Sequence, residues 1–107
     1  MAQVDDVLTA VAYPIRRELL RRLAERPRRA GDLARGFAIS RPAICKHARM
    51  LERAGLIRAA KSGRERMYAL APEAGVAIRA AASEIEELSA FWDMALDAFK
   101  RLAEESQ

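Results

Sequence analysis

The twenty residues from Ala38 to Ile57 constrain this chain more than any other stretch. Ser40 is a good helix N-cap, because its hydroxyl can accept a backbone N–H left free in the first turn. Pro42 falls in that turn, where a missing N–H costs least. Ile44, Ala48 and Leu51 then recur at helical spacing, and Gly55 is placed to end the helix in a left-handed conformation. Arg41, Cys45, Lys46 and Arg49 point the other way. The pattern predicts a short helix with a small-residue apolar side and a slim cationic side. Such a helix suits a DNA major groove about 12 Å wide, although a basic surface helix would look the same.

The distribution of charge favours the groove. The net charge of +4 conceals a segregation: residues 14–66 carry 16 Lys/Arg against 5 Asp/Glu, while both ends of the chain are acidic. That is the electrostatic footprint expected for a polyanionic partner. The cationic segment has no tryptophan and no long amphipathic stripe of the interfacial kind. No apolar run approaches the roughly 20 residues of a membrane span. Double-stranded DNA, not a membrane, is the expected partner. The start, Met-Ala-Gln-Val-Asp-Asp, lacks the basic residues and apolar stretch of a signal peptide. One cysteine forms no intrachain disulfide, so a cytoplasmic location is expected. With 107 residues, one domain over 1–107 with a modest core is expected.

Taken in order, Val4, Val7, Leu8 and Val11 make one apolar stripe of a helix over 3–12, to be covered by a second chain or by the local core. Pro14 opens a second helix with Ile15, Leu19, Leu20 and Leu23 inward. Arg16, Arg17, Arg21, Arg22 and Arg26 crowd its outside, either solvated or partly in reach of phosphate. Residues 26–30 read as a turn or short extended link. A third helix of about two turns follows, Gly31 to Phe37, with Leu33, Ala34 and Phe37 inward and Gly36 weakening its end. Residues 31–55 therefore form a helix-turn-helix. After Gly55 the period changes to that of strands, Leu56 to Lys61 and Glu65 to Leu70, around Ser62-Gly63. Tyr68 and Leu70 would pack under the helices, with Lys61, Arg64 and Arg66 at the tip. A basic hairpin over 56–70 in this place is a wing whose cations can follow a phosphate backbone or enter a minor groove. A two-stranded ribbon is marginal alone, so it must lean on the helices.

Pro72 opens the last segment. Ile78, Ala81, Ile85, Leu88, Trp92, Ala95, Phe99 and Leu102 alternate spacings of three and four, the a/d pattern of a helix–helix seam. Unbroken, residues 73–104 span about 48 Å, too long for so small a domain to cover. Ser83-Glu84-Ile85-Glu86 also fits a capping box, so a kink or restart there is the alternative. The seam is expected to pair with its copy, making 1–13 and 72–107 dimerisation helices. The predicted interface is Val4, Val7, Leu8, Val11, Ile85, Leu88, Trp92, Ala95 and Phe99. The fold class is mainly α with a small β-hairpin: a winged helix-turn-helix of about five helices and a two-stranded wing, dimerising through its terminal helices.

Several motifs then resemble one family. Arg41-Pro42-Ala43-Ile44 with Lys46-His47, Leu51-Glu52-Arg53-Ala54-Gly55-Leu56-Ile57, and Gly63-Arg64-Glu65-Arg66 with Tyr68 and Leu70 look like the ArsR/SmtB winged-helix repressors. Pro14-Ile15-Arg16-Arg17 and Asp32-Leu33-Ala34 sit where that family has its Pro-x-Arg-Arg and acidic-Leu-Ala elements. The ending Phe91-Trp92-Asp93-Met94-Ala95-Leu96-Asp97 resembles a non-metal-sensing, SdpR-like subgroup. The resemblance implies a homodimeric transcriptional regulator, usually a repressor, that binds an inverted repeat with one helix per half-site. Tyr13 departs from the acidic residue that often precedes the Pro-x-Arg-Arg element, and Ala48 stands where leucine is usual.

Family members that sense metals do so through Cys-x-Cys pairs near the third helix or His and carboxylate clusters on the last. Here Ala30 to Gly36 hold no cysteine and the last helix holds no histidine. Cys45 and His47, two positions apart on a helix, point about 200° apart and cannot chelate one ion. Neither a metal nor any other cofactor is expected. His47 lies on the Ile44/Leu51 side, which predicts a partly buried residue bonded to backbone, with phosphate contact as the alternative. Cys45 lies on the groove face beside Lys46, where a cationic surround favours thiolate. It is read as a small residue close to DNA, with a redox-responsive repressor as the alternative. No second histidine, glycine-rich phosphate loop or nucleophile–base pair supports catalysis.

Base contacts are expected from Arg41 and Lys46, with Ser40 and Ala43 beside them. Arg49, Lys61, Arg64 and Arg66 are expected to grip phosphate and the flanking groove. The rival reading keeps the winged helix as a protein-interaction scaffold, monomeric in isolation and weak on DNA.

Overall fold

Leu19, Leu33, Ile44, Leu51, Leu56 and Ile57, none more than 2% exposed, gather α-helices and strands around one core. The computed structural model describes residues 3–106. In chain order the elements are α1 (Val4–Ala10), α2 (Pro14–Glu25), β1 (Arg28–Arg29), α3 (Ala30–Ala34), α4 (Arg41–Arg53), β2 (Ile57–Ser62), β3 (Glu65–Leu70) and α5 (Ala74–Glu105). This is a mainly helical winged helix-turn-helix with five helices, as the periodicities indicate.

The helix α4 starts and stops where its sequence directs. The Ser40 hydroxyl accepts the Ala43 N–H at 3.3 Å, and Pro42 occupies the first turn. At the other end Gly55 adopts φ +79°, the Leu56 N–H donates to the Leu51 carbonyl, and the Gly55 N–H donates to the Glu52 carbonyl, both at 3.0 Å. That is a Schellman motif, which satisfies carbonyls the helix leaves free. Ile44, Ala48 and Leu51 are buried beneath it. Leu56 and Ile57 continue directly into the core and carry the chain into β2.

Two corrections concern the strands. The sheet has three strands in the order β1-β3-β2, not two. Arg28 and Arg29, expected in a turn or link, pair antiparallel with Tyr68 and Met67 of β3. A two-residue strand carries no readable periodicity, yet it covers the second edge of β3. The hairpin loop is Gly63-Arg64, one residue later than expected, between the paired Ser62 and Glu65. Gly63 takes φ +64°, which a two-residue turn with glycine first requires.

Among the helices, α3 ends at Ala34, three residues short of Phe37. The cause is Arg22 of α2, whose Nη1 donates to the carbonyls of Leu33 at 3.0 Å and Arg35 at 2.6 Å. Those contacts close the helix, and Gly36 turns the chain away with φ +84°. At the other extreme, α5 runs through Ser83 without interruption as one helix of 32 residues. Ala80, Ala81 and Ala82, the best helix formers, precede that serine and carry the helix past the capping-box pattern.

Helix α1 packs on the beginning of α5. Val7 is 1% exposed and Ala10 is 3%, alongside Ala74 and Ala81 of α5, so Val7 belongs to this chain's own core and not to an exposed seam. Val4, Leu8 and Val11 are half-buried against the same core. Beyond Ala81 every described residue of α5 is exposed. The chain accordingly extends 71 Å along its longest axis against 30 and 20 Å across.

Ile44→Ala removes a side chain that is 1% exposed and joins α4 to the core. It is expected to lower the unfolding free energy by about 2–5 kcal/mol, read from the urea midpoint.

Candidate nucleic-acid interface

The outward side of α4 carries Arg41, Pro42, Lys46, Arg49 and Arg53, all exposed. Ser40 and Ala43 lie at its start, tied to one another by the cap, so the Ser40 oxygen is already used as an acceptor while its O–H remains a donor. Arg41 reaches across to the wing: its Nη2 lies 3.5 Å from Oε1 of Glu65 in β3. More than half of the Arg41 side chain stays accessible in that pair. At such exposure the pair contributes little to stability and yields readily to a phosphate or a base edge. Sequence reasoning omitted Arg53, although it follows Arg49 by one helical turn and extends the same row.

The wing concentrates charge in a different manner. Lys61 and Arg66 face one another directly across β2 and β3, and Arg64 sits in the loop beyond them. Like charges opposite one another in a sheet repel, at a cost of up to about 1 kcal/mol. All three are exposed, and among the described residues neither they nor Lys46 and Arg49 have an ion-pair partner. The Arg41–Glu65 contact places the start of α4 against the loop end of this cationic ribbon.

The arginines of α2 behave otherwise than their helical positions suggest. Arg16 was expected outside but is only 8% exposed. It lies over the Tyr13 ring at 4.2 Å and donates from Nε to Nδ1 of His47 at 3.1 Å. Arg22 stacks over Phe37 at 4.2 Å while bonding the end of α3. Arg17 donates to the Val11 carbonyl, and Arg21 pairs with Glu18. Arg26 alone of the five is exposed with no such tie among the described residues.

His47 is half-buried, as its helix face predicts, but its partner is the Arg16 guanidinium and not backbone. Burial first, then the charges of Arg16 and Lys46, hold its pKa below the ordinary 6.5. Cys45 is a half-buried free thiol on the neighbouring part of α4. Among the described residues, no three His, Cys, Asp or Glu side chains converge as metal ligands would.

On α5 the predicted seam residues stand in the open. Ile85 is 52% exposed and Leu88 64%, and Trp92 and Phe99 reach 67% and 66%. Ala95 lies on the same exposed length, as do Phe91 and Met94. A contiguous apolar surface of this kind marks an interaction site.

Comparison with known proteins agrees with this geometry. The family described as bacterial regulatory protein, arsR family, matches residues 13–59. The HTH-type transcriptional regulator Rv2034 of Mycobacterium tuberculosis is 35% identical over 98 residues, covering 92% of this chain and 86% of that protein. The crystal structure of an ArsR family transcriptional regulator superposes with a TM-score of 0.70 at 37% identity, over 82% of this chain and 95% of the other. The homodimeric winged helix-turn-helix DNA-binding domain of a possible ArsR-family regulator from Mycobacterium bovis shares the fold. Its TM-score is 0.64 at 24% identity, over 79% of this chain and 81% of that one.

The depressed pKa of His47 makes folding pH-dependent. Below the ordinary value of 6.5 the unfolded chain binds a proton that the folded chain refuses. Stability is therefore full above about pH 6.5 and falls as pH drops through the folded value. Urea midpoints at about pH 7.5 and pH 5.5 are expected to differ in the wild type, and His47→Gln is expected to shrink that difference.

Proposed function

This chain belongs to the ArsR family of bacterial regulatory proteins, and from that premise we propose that it is a homodimeric repressor occupying an inverted-repeat operator, its own promoter included. The observation that carries this reading is the set of unpaired cations on α4 and the wing, in a chain whose other arginines are largely committed to structural bonds. Such cations exchange condensed counterions for phosphate contacts, which drives binding and makes it salt-dependent. In this reading α4 enters the major groove, Arg41 and Lys46 contact base edges with Ser40 and Ala43 at the groove floor, and Arg49 meets the backbone. Lys61, Arg64 and Arg66 reach the adjacent phosphates or minor groove, and the anion relieves the repulsion between Lys61 and Arg66. A regulator of this kind works in the cytoplasm, beside the chromosome.

The dimer supports two such helices at once. The apolar length of α5 pairs with its copy through Ile85, Leu88, Trp92, Ala95 and Phe99, with the half-buried Val4, Leu8 and Val11 at its margin. The homodimeric state of the Mycobacterium bovis domain supports this arrangement. Two-fold symmetry in the protein then demands an inverted repeat in the DNA.

The direct test is fluorescence anisotropy on a duplex from upstream of the chain's own gene against random duplex, across a salt series. Binding about a thousandfold tighter to the first, with two chains per site, is the expected result. Equal weak binding by a monomer would favour the interaction scaffold instead. Arg41→Ala is expected to cost about 1–3 kcal/mol on the operator and to relax preference at one position of each half-site. Arg64→Ala is expected to weaken all sequences alike and to lower the salt slope by about one. Trp92→Asp is expected to yield monomers in sedimentation while leaving the far-ultraviolet signature of the fold in place.

A further inference from the structure

Arg16 is the one buried charged side chain among the described residues, and it joins two elements that apolar contacts alone would hold loosely. Ile44, Ala48 and Leu51 set the depth at which α4 sits, but such contacts are non-directional. The bond from Arg16 Nε to His47 Nδ1, 3.1 Å long and spanning 31 residues of sequence, is directional. It fixes rotation of α4 about its own axis. The guanidinium is itself held by the Tyr13 ring at 4.2 Å. We propose that Arg16 and His47 form an acid-sensitive strut that orients α4, so that protonation of His47 releases the helix and weakens DNA binding. This inference rests on the DNA-binding reading above.

The chemistry follows from donor and acceptor counts. Neutral His47 offers Arg16 the lone pair of Nδ1 and keeps its proton on Nε2. A proton taken from water at Nδ1 converts that acceptor into a donor, and two cationic donors then face one another. Arg16 already holds one nitrogen, Nη1, buried without a partner. Leaving a second buried donor unmet is costly, so α4 must move relative to α2. The groups acting on His47 are Arg16 and the Tyr13 ring from the α2 side, the ring centroid 6.2 Å away, and Lys46 on α4 itself. Both charges are positive, and they add to burial in disfavouring the protonated form. His47 is also the only histidine in the chain.

The sign of the effect separates the strut from simple electrostatics. A new positive charge beside DNA would by itself tighten binding. Release of α4 loosens it. The experiment is anisotropy of the full chain on the own-promoter duplex at pH 7.5 and 5.5, at fixed ionic strength. In the wild type the ratio of Kd at pH 5.5 to Kd at pH 7.5 is expected to reach about fivefold, the scale of one lost hydrogen bond. In His47→Gln, whose amide oxygen still accepts from Arg16 but does not titrate, the ratio is expected to stay near one. A wild-type ratio of one or less, or the same ratio in His47→Gln, overturns the strut. Absence of binding to any duplex at either pH would overturn the DNA-binding reading instead. The strut is then decided by the free protein, in amide and imidazole resonances of the wild type. Movement of the α4 amides in step with His47 titration supports it, and α4 amides that stay still as the imidazole titrates overturn it.

Discussion

Two guanidinium groups from one helix hold the helix-turn-helix together. Arg22 reaches from α2 to the end of α3, where it bonds the Leu33 and Arg35 carbonyls and stacks on Phe37. Arg16 reaches from the same helix to α4 through His47. Each uses the flat face of the guanidinium against an aromatic ring and its edge for hydrogen bonds, a combination that lysine cannot reproduce. The short α3 has little apolar surface of its own, and a five-residue helix is unstable in isolation. Its position, and hence the turn that presents α4, depends on these polar ties as much as on Leu33.

That commitment divides the cations of this chain into two populations. One is tied down by carbonyls, rings and carboxylates around α2 and α3. The other, on α4 and the wing, has among the described residues no ion-pair partner beyond the exposed contacts of Arg41 with Glu65 and of Arg58 with Glu73. Net charge alone does not distinguish them. A residue bound into structure contributes to the long-range field with part of its donor set already engaged and its position fixed, whereas Lys46, Arg49, Lys61, Arg64 and Arg66 keep all their donors for phosphate. The opposition of Lys61 and Arg66 shows the same logic locally, because a sheet selected only for stability would place a carboxylate across from one of them.

Most of the architecture was legible because it is written in periodicity and punctuation. The cap at Ser40, the stop at Gly55, the change of period at the wing and the heptads of α5 each fall where the spacing put them. What could not be read were features carried by tertiary contact. Arg16 and Arg22 share the outward positions of α2 with solvated neighbours, and only the presence of Tyr13, His47 and Phe37 in space turns them inward. Strand β1 is two residues long and exists because β3 has an edge to cover. Val7 lies on the same stripe as Val4, Leu8 and Val11, and no pattern within that stripe distinguishes core from margin. For the candidate interface, the exposed row on α4 was legible down to Arg49, and Arg53 extends it by one further turn.

The uncovered length of α5 has a mechanical consequence. From Trp92, midway along the apolar stretch, back to Ala74, where the helix meets the body, is a stiff arm of roughly 27 Å at 1.5 Å per residue. If two such arms cross in the dimer, one degree of change in their angle swings each body by about half an ångström. That exceeds the tolerance of a well-made hydrogen bond within a few degrees. In the proposed dimer the distance between paired grooves would thus be set by side-chain sizes along α5, far from the residues proposed to meet DNA. Repacking that region would retune half-site spacing while leaving the reading surface untouched.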